Sequence, residues 1–386
     1  MGEWRRLPLG DLLTRITYGF TNPMPTTAAG PIMVTAKDIR NGRIDYGSAR
    51  FTSREAYDSL LTDKSRPRVG DVLLTKDGSI GRVAVCDRPD ICINQSVALL
   101  QLNELADAQF LAYMLQAPDY QQRMAADADG STIKHIYITR VDKMEVELPP
   151  RGEQEAIAEV LRSLDDKVTA NQRAIQLAEE LSRAHFQAAA TGGVEVPLSS
   201  LARFVNGRAY TKDATGTGRV VVRIAELNSG IGASTVWNDI EVPDVNTVRP
   251  GDLLFAWSGS LTAARWYRPE AIVNQHIFKV IPNDRRPMWL VNQAVHATLD
   301  EFKAIAADKA TTMGHIQRRH LDEPVRVPNE GDIKRLDELM NDLWETALAL
   351  EIESLKLSAT RDELLPLLMS GKVRVKDAEK TVEGVL

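Results

Sequence analysis

The chain has little with which to build covalent or metal chemistry. Two cysteines in 386 residues, Cys86 and Cys92, supply neither a disulfide framework nor four ligands for a structural zinc. The six histidines are scattered. His315 and His320 lie close together, but no cysteine or acidic residue completes a clear metal motif around them. No apolar run approaches the roughly 18 residues that a membrane span needs. The opening MGEWRRLPLGDLL lacks the long apolar core of a secretory signal, so a soluble cytoplasmic protein is expected. Signatures of autonomous catalysis are missing too: no GxxxxGKS/T phosphate loop, no GxGxxG after a strand, no HExxH, no GxSxG elbow, and no NPPY-like or DPPY-like tetrapeptide.

Excess positive charge is also lacking. The net charge is −6 and the pI about 5.7, which argues weakly against a nucleic-acid binder. Its distribution says more. Residues 1–150 carry −1, 151–191 carry −2, 192–328 carry +2 and 329–386 carry −5. The negative charge therefore sits mostly on two segments that read as helices.

The first of these, from PPRGEQ at 149–154 to Phe186, has no proline after its entry until Pro197. Ile157, Leu161, Leu164, Val168, Ile175 and Ala178 recur in steps of three and four, a heptad seam on one helix. Asn171 stands on the seam where an apolar residue is expected, the pattern of a register-setting polar residue. A helix of this length, roughly 50 Å at about 1.5 Å per residue, needs a partner. The second segment supplies it with Ile333, Leu336, Met340, Leu343, Ala347, Leu350 and Leu357, an N-cap at Asn329 or Asp332, and a stop at Gly371.

The remainder is duplicated. VGDVLLTKDGSIGRVAV at 69–85 matches PGDLLFAWSGSLTAARW at 250–266, aligning Gly70 with Gly251, Asp71 with Asp252, Gly78 with Gly259 and Ser79 with Ser260. Asn94-Gln95 matches Asn274-Gln275; Thr132, His135 and Ile136 match Thr312, His315 and Ile316; AKDIRNG at 36–42 matches IAELNSG at 224–230. A period of about 180 residues is too long for a solenoid and marks a domain duplication. The repeat is cyclic, because SGKVRV at 370–375 matches TGGVEV at 191–196, which runs into a match of PLGDL at 8–12.

The expected fold is α+β: two mixed α/β domains joined by two long antiparallel helices, with an internal pseudo-twofold repeat and neighbouring termini. The expected bounds are 1–150 for the first domain, 151–190 for the central helix, 191–328 for the second domain, 329–370 for the distal helix and 371–386 for a tail. Residues 69–85 read as strand, turn, strand, and residues 130–137 as a loop leading into a strand.

Gly78-Ser79 and Gly259-Ser260 read as hairpin turns in preference to phosphate loops. Asn94-Gln95 and Asn274-Gln275 read as buried amides in preference to base readers. The basic residues point further. Lys37, Arg40 and Arg43 surround the AKDIRNG turn, and Arg208, Lys212, Arg219 and Arg223 occupy the corresponding part of the second copy. Lys134 and His135 have their counterpart in the stretch of His315, Arg318, Arg319 and His320. Basic groups at matching places of a duplicated domain fit a binder that touches two stretches of phosphate backbone.

LPPRGEQEAIAEVLRSLDDKVTANQ at 148–172 resembles the central region of type I restriction-modification specificity subunits, where PLPPxxEQxxIxxxLxxLDxKIxxN is typical. DELLPLLMSGKVRV resembles the distal counterpart, and GDVLLTKDGSIGRVAV, INQSVALL and GSTIKHI look like the family's recognition-domain landmarks. The second copy departs from the pattern: EGDIKRLDELM lacks the PPxxEQ entry, and SGSLTAARW lacks the second glycine. The resemblance implies that each block reads half of a split double-stranded DNA sequence. It implies that the helices bind two modification subunits, which methylate adenine with S-adenosylmethionine. Restriction subunits would then cleave using ATP and Mg²⁺. This chain would bind no cofactor or metal and have no catalytic residues. A scaffold whose duplicated domains bind proteins is the alternative, and an enzyme with an unrecognised site a third reading.

Overall fold

The computed structural model describes residues 4–130, 134–283, 286–308 and 314–385. The chain divides into two compact units, Met1–Asp166 with Leu357–Leu386, and Lys167–Lys356. Both boundaries fall inside long helices, Arg151–Ala190 and Glu330–Met369.

In the first unit an antiparallel sheet runs in the order Leu13–Tyr18, Val97–Leu102, Val72–Thr75, Val83–Val85. Val72–Thr75 is buried along its whole length, so its sequence shows no polar alternation. Leu73, Val97 and Leu99 pack on Ile32, Val34, Ile91 and Ile93 of a second sheet, and helix Ala108–Gln116 contacts the first sheet. In that second sheet Thr27–Val34 lies between Arg50–Phe51 and Ile91–Ile93, running parallel to the latter. Cys86 and Cys92 are fully buried here, and burial pushes their thiols up to about 11 and about 12, away from reactive thiolate.

The second unit repeats the topology. Its antiparallel sheet runs Ala202–Asn206, Ile277–Pro282, Leu253–Ala256, Thr262–Arg265. Its other sheet sets Arg219–Val222 parallel to Ala271–Val273. Where the first unit has two helices broken at Ala117-Pro118, the second has the single helix Met288–Asp308. Proline disfavours the helical conformation in the residue before it, and that proline is absent from the second copy. The fold is therefore the α+β duplication expected.

Within the second unit, Phe186 and Ala190 share a core with Ile333, Leu336 and Met340, while Lys167 pairs with Glu353 at 3.4 Å. The end of one helix thus meets the start of the other, and the pair is antiparallel. Asn171 is buried, and its amide nitrogen donates to Glu353 at 2.6 Å and Ser354 at 3.3 Å. Ile157, Leu161 and Leu164 are buried in the first unit; Val168, Ile175, Leu343 and Leu350 are half-buried in the second. Asn329 caps the distal helix, accepting from the Asp332 N–H at 3.0 Å.

Gln154, the glutamine of PPRGEQ, is fully buried and explains that motif. Its amide accepts from the Asp107 N–H at 2.8 Å and donates to the Leu105 and Pro149 carbonyls, both at 2.9 Å. The central helix is thereby pinned to the loop before helix Ala108–Gln116. Gln154→Leu strands those backbone groups in an apolar setting. An unfolding free energy lower by about 2–4 kcal/mol is expected, at about 1–3 kcal/mol per buried unpaired group. Urea denaturation checks this, and a change under roughly 0.5 kcal/mol, within the range of an ordinary surface substitution, would contradict it.

One expectation needs correcting. Residues 134–137 do not lead into a strand: His135 forms isolated bridges to Asp77 and Asp129, and helix Ile138–Asp142 follows. The tail beyond Gly371, whose start matches the sequence of strand Val194–Pro197, carries helix Val375–Glu383, which buries Ala378 and Val382. The strand position in the first unit is filled instead by Arg5–Pro8, paired with Glu145–Leu148 as Val194–Pro197 pairs with Pro324–Val327. The distal helix carries Pro366 in its last turn, four residues before Ser370. Thr132 and Thr312 lie outside the described residues.

Candidate nucleic-acid interface

Each unit gathers three backbone segments at one end of its antiparallel sheet. In the first unit, strand Leu13–Tyr18 leaves the sheet at Gly19, whose N–H donates to Val97, and Phe20 bridges Asn94. In the second, Gly207 donates to Ile277 and Arg208 bridges Asn274. A Cβ at Gly19 would stand 1.8 Å from the Ile93 carbonyl oxygen, and one at Gly207 2.2 Å from that of Val273. Only glycine admits this crossing.

The histidine segment closes the site in both units. Ile136 donates to the Lys76 carbonyl and Ile316 to that of Trp257; Gly78 donates to the Lys134 carbonyl and Gly259 to that of Gly314. Gly78 and Gly259 have φ of 74° and 64°, and with their N–H groups engaged they are not phosphate cradles. The expected buried amides divide. Asn94 accepts from the Ser96 N–H and hydroxyl at 3.2 and 2.6 Å, holding its loop, and Asn274 is buried. Gln95 and Gln275, in contrast, are exposed.

Side chains on this shared backbone differ. In the first unit the Lys76 ammonium is buried on Asp77 at 3.0 Å, and Asp77 also pairs with the His135 ring. Tyr18 is 37% exposed, with Lys76 and Lys64 ammonium groups 5.1 and 5.9 Å from its ring centre. In the second unit the Trp257 indole N–H donates to Asn206 at 2.9 Å, with His276 and His315 rings 5.5 and 6.4 Å away. Asn206 also lines an open groove of about 880 Å³ with Arg203, Arg318 and Arg319.

The basic residues singled out from sequence do not form one surface. Lys134 and His135 lie at the segment end just described, and so do Arg208 and His315. Lys134, Arg208 and exposed Lys212 have no ion-pair partner among the described residues. Arg318 donates to the Phe204 carbonyl at 3.3 Å, while Arg319 is exposed and His320 is buried. Lys37 is exposed on a short turn, and Arg40 donates to its carbonyl at 2.9 Å.

Three of the arginines have carboxylate partners. Arg43 is tied to Asp166 of the central helix at 2.7 Å. Arg219 pairs with Glu270 at 2.9 Å and donates to the Ile240 carbonyl. Arg223 grips buried Glu226 through two guanidinium nitrogens at 2.6 and 2.9 Å. Burial would push the Glu226 carboxyl up, but the bonds from Arg223 and Thr235 outweigh it and hold the carboxyl below its ordinary value. An arginine held on a buried carboxylate has few donors left for phosphate.

Tyr18, Lys64, Lys76, Asn206, Trp257 and His276, which gather at these loop ends, were not singled out from sequence. Tyr18, Lys76, Asn206 and Trp257 lie at strand ends, where basic clustering gives no signal, and Lys64 lies in the short helix Asp63–Ser65; aligning the repeats at the two crossing glycines brings the Tyr18 and Asn206 positions together.

Among the described residues no group of histidine, cysteine and carboxylate side chains is placed to hold a metal. No helix among them is long and apolar enough to cross a membrane.

Two copies of one mixed sheet domain, each carrying a share of two long helices, define a duplicated two-domain architecture. Residues 24–180 match the type I restriction modification DNA specificity domain. The chain is 22% identical over 262 residues to the EcoKI specificity subunit of Escherichia coli K12, covering 59% of this chain and 55% of that one. It is 24% identical over 168 residues to the Escherichia coli EcoBI specificity subunit, covering 42% and 35%. The first match thus spans about half of that relative's length. The structure of a type I restriction-modification S subunit from M. genitalium superposes with a TM-score of 0.62 at 17% identity, over 95% of this chain and 96% of that one. The chain is thus similar to the specificity subunits of type I restriction-modification systems, and its residues 24–180 match their DNA specificity domain.

Proposed function

We propose that this chain reads a bipartite double-stranded DNA target, one half with residues 1–150 and the other with residues 191–328. The carrying observation is a backbone repeated down to individual hydrogen bonds, yet presenting Tyr18, Lys76 and His135 at one site and Asn206, Trp257 and His315 at the other. Selection for folding explains the shared backbone. Two different targets explain the divergent side chains on it. The central and distal helices (151–190 and 329–370) position two modification subunits, which supply S-adenosylmethionine and methylate adenine. Restriction subunits supply the ATP- and Mg²⁺-dependent cleavage. The chain works in the cytoplasm and contributes specificity without a cofactor of its own.

Salt dependence tests the DNA contact. Affinity of the assembled complex should fall steeply with salt, as displaced counterions return to the duplex. Removing Arg318 and Arg319 together by alanine substitution should lower the salt slope by about two, one for each phosphate no longer neutralised. A base-contacting arginine would instead cost about 1–3 kcal/mol and relax one motif position. Unchanged affinity, slope and motif would exclude that segment, and flat salt dependence of the intact complex would favour a protein-binding scaffold.

A further inference from the structure

An exchange between the two units singles out one pair of positions. Tyr18 is paired across the sheet with Ala98, and Asn206 with Phe278, so Tyr18 and Asn206 are equivalent. Lys76 follows Thr75, which pairs with Val97, and Trp257 follows Ala256, which pairs with Ile277, so Lys76 and Trp257 are equivalent too. The first unit therefore has its ring on the outer strand and its polar group on the inner one. The second has them reversed. In each case the two side chains touch: Lys76 lies over the Tyr18 ring at 5.1 Å, and the Trp257 indole donates to Asn206 at 2.9 Å.

A ring needed only to fill the core would be buried, as Phe255 and Phe110 are. Tyr18 and Trp257 both keep open surface. Both are held by their polar neighbour, so a ligand that docks on them orders little that is not already fixed. Both have cationic or imidazole neighbours: Lys64 and Lys76 beside Tyr18, His276 and His315 beside Trp257. A held, half-open ring surrounded by such groups suits a nucleotide, whose anionic phosphate flanks an apolar sugar and base.

We propose that Tyr18 and Trp257 each make the apolar contact to their own DNA half-site, against a groove-facing thymine methyl or a deoxyribose. This rests on the reading of the chain as a two-half-site DNA binder.

The test uses the full chain assembled with its modification subunits and a duplex carrying the mapped motif. Tyr18→Ala and Trp257→Ala should each weaken binding at least roughly fivefold, as truncation of an interface aromatic does. Relaxed sequence preference should be confined to one half-site for Tyr18→Ala and to the other for Trp257→Ala. Tyr18→Phe and Trp257→Phe keep a ring and should stay near wild type. Should an alanine variant fail to fold, Tyr18→Gln and Trp257→Gln remove the ring while keeping bulk and a polar end. Replacing thymine by uracil in a half-site deletes the methyl. If that weakens wild type but not the alanine variant, the contact is the methyl; if wild type is indifferent, it is the sugar. Ring-less variants that fold, bind and methylate as wild type would overturn the proposal, as would both variants altering the same half-site. Failure of the wild-type complex to bind any duplex in a salt-dependent way would overturn the underlying reading instead.

Discussion

Exchanging residues 191–328 for the equivalent block of a relative is expected to change one half of the methylated DNA motif and leave the other as it was. The second unit draws both its sheets and its loops from within Lys167–Lys356, so the first unit's loops are untouched by the exchange. The junctions matter. Strand Val194–Pro197 pairs residue by residue with Pro324–Val327, so a cut inside either strand would leave an unpaired edge. Cuts at 191 and 328 carry the pair intact. The expected effect on the original motif is complete loss of methylation, since a mismatched base pair costs about 1–3 kcal/mol and several would be mismatched at once. Methylation mapping reads the outcome, and a change in both halves would mean that the blocks do not read independently.

Four residues inserted into each long helix should widen the nonspecific spacer between the half-sites without altering either one. The structure places the insertions after Asp166 and after Lys356, where each unit keeps its own contacts, including Asp165–Arg361 in the first and Asn171–Glu353 in the second. Four residues add about 6 Å of helix, or roughly two base pairs at 3.4 Å each. They also turn the helix about 40° beyond a full turn at ~3.6 residues per turn, which a stutter in the seam can absorb. Asn171→Leu is the control. It removes the amide that donates to Glu353 and Ser354 but changes no length, so the spacer should stay as it was. An active insertion variant with an unchanged spacer would rule out the helices as its determinant.

The duplication was legible because a repeated backbone needs the same residues twice. The aspartates Asp71 and Asp252 illustrate this: each carboxylate accepts from the backbone N–H three residues earlier, that of Arg68 at 2.8 Å and that of Arg249 at 2.7 Å. The helices were legible because an apolar seam at heptad spacing fits little besides a long helix packed on a partner. What stayed hidden depends on contacts across the fold. Gln154 looks like an ordinary helix-surface residue until the Leu105 loop arrives over it. Arg223 looks like a free cation until Glu226, on the next turn, is seen to be buried beneath it. The Tyr18–Lys76 and Asn206–Trp257 pairs are invisible to any one-strand comparison, because the ring changes strand between the copies. Basic clusters single out only some of the residues at these loop ends, because charge reports where a backbone phosphate is welcome, not which loop ends converge.

Methylation mapping of cells with and without the gene tests the central claim most directly. With the gene, adenine methylation is expected at a single motif of two short specific halves separated by a fixed nonspecific gap. Without it, that motif should be unmethylated throughout the genome. No gene-dependent motif, or one that is continuous with no gap, would contradict a chain that reads DNA with two separate blocks.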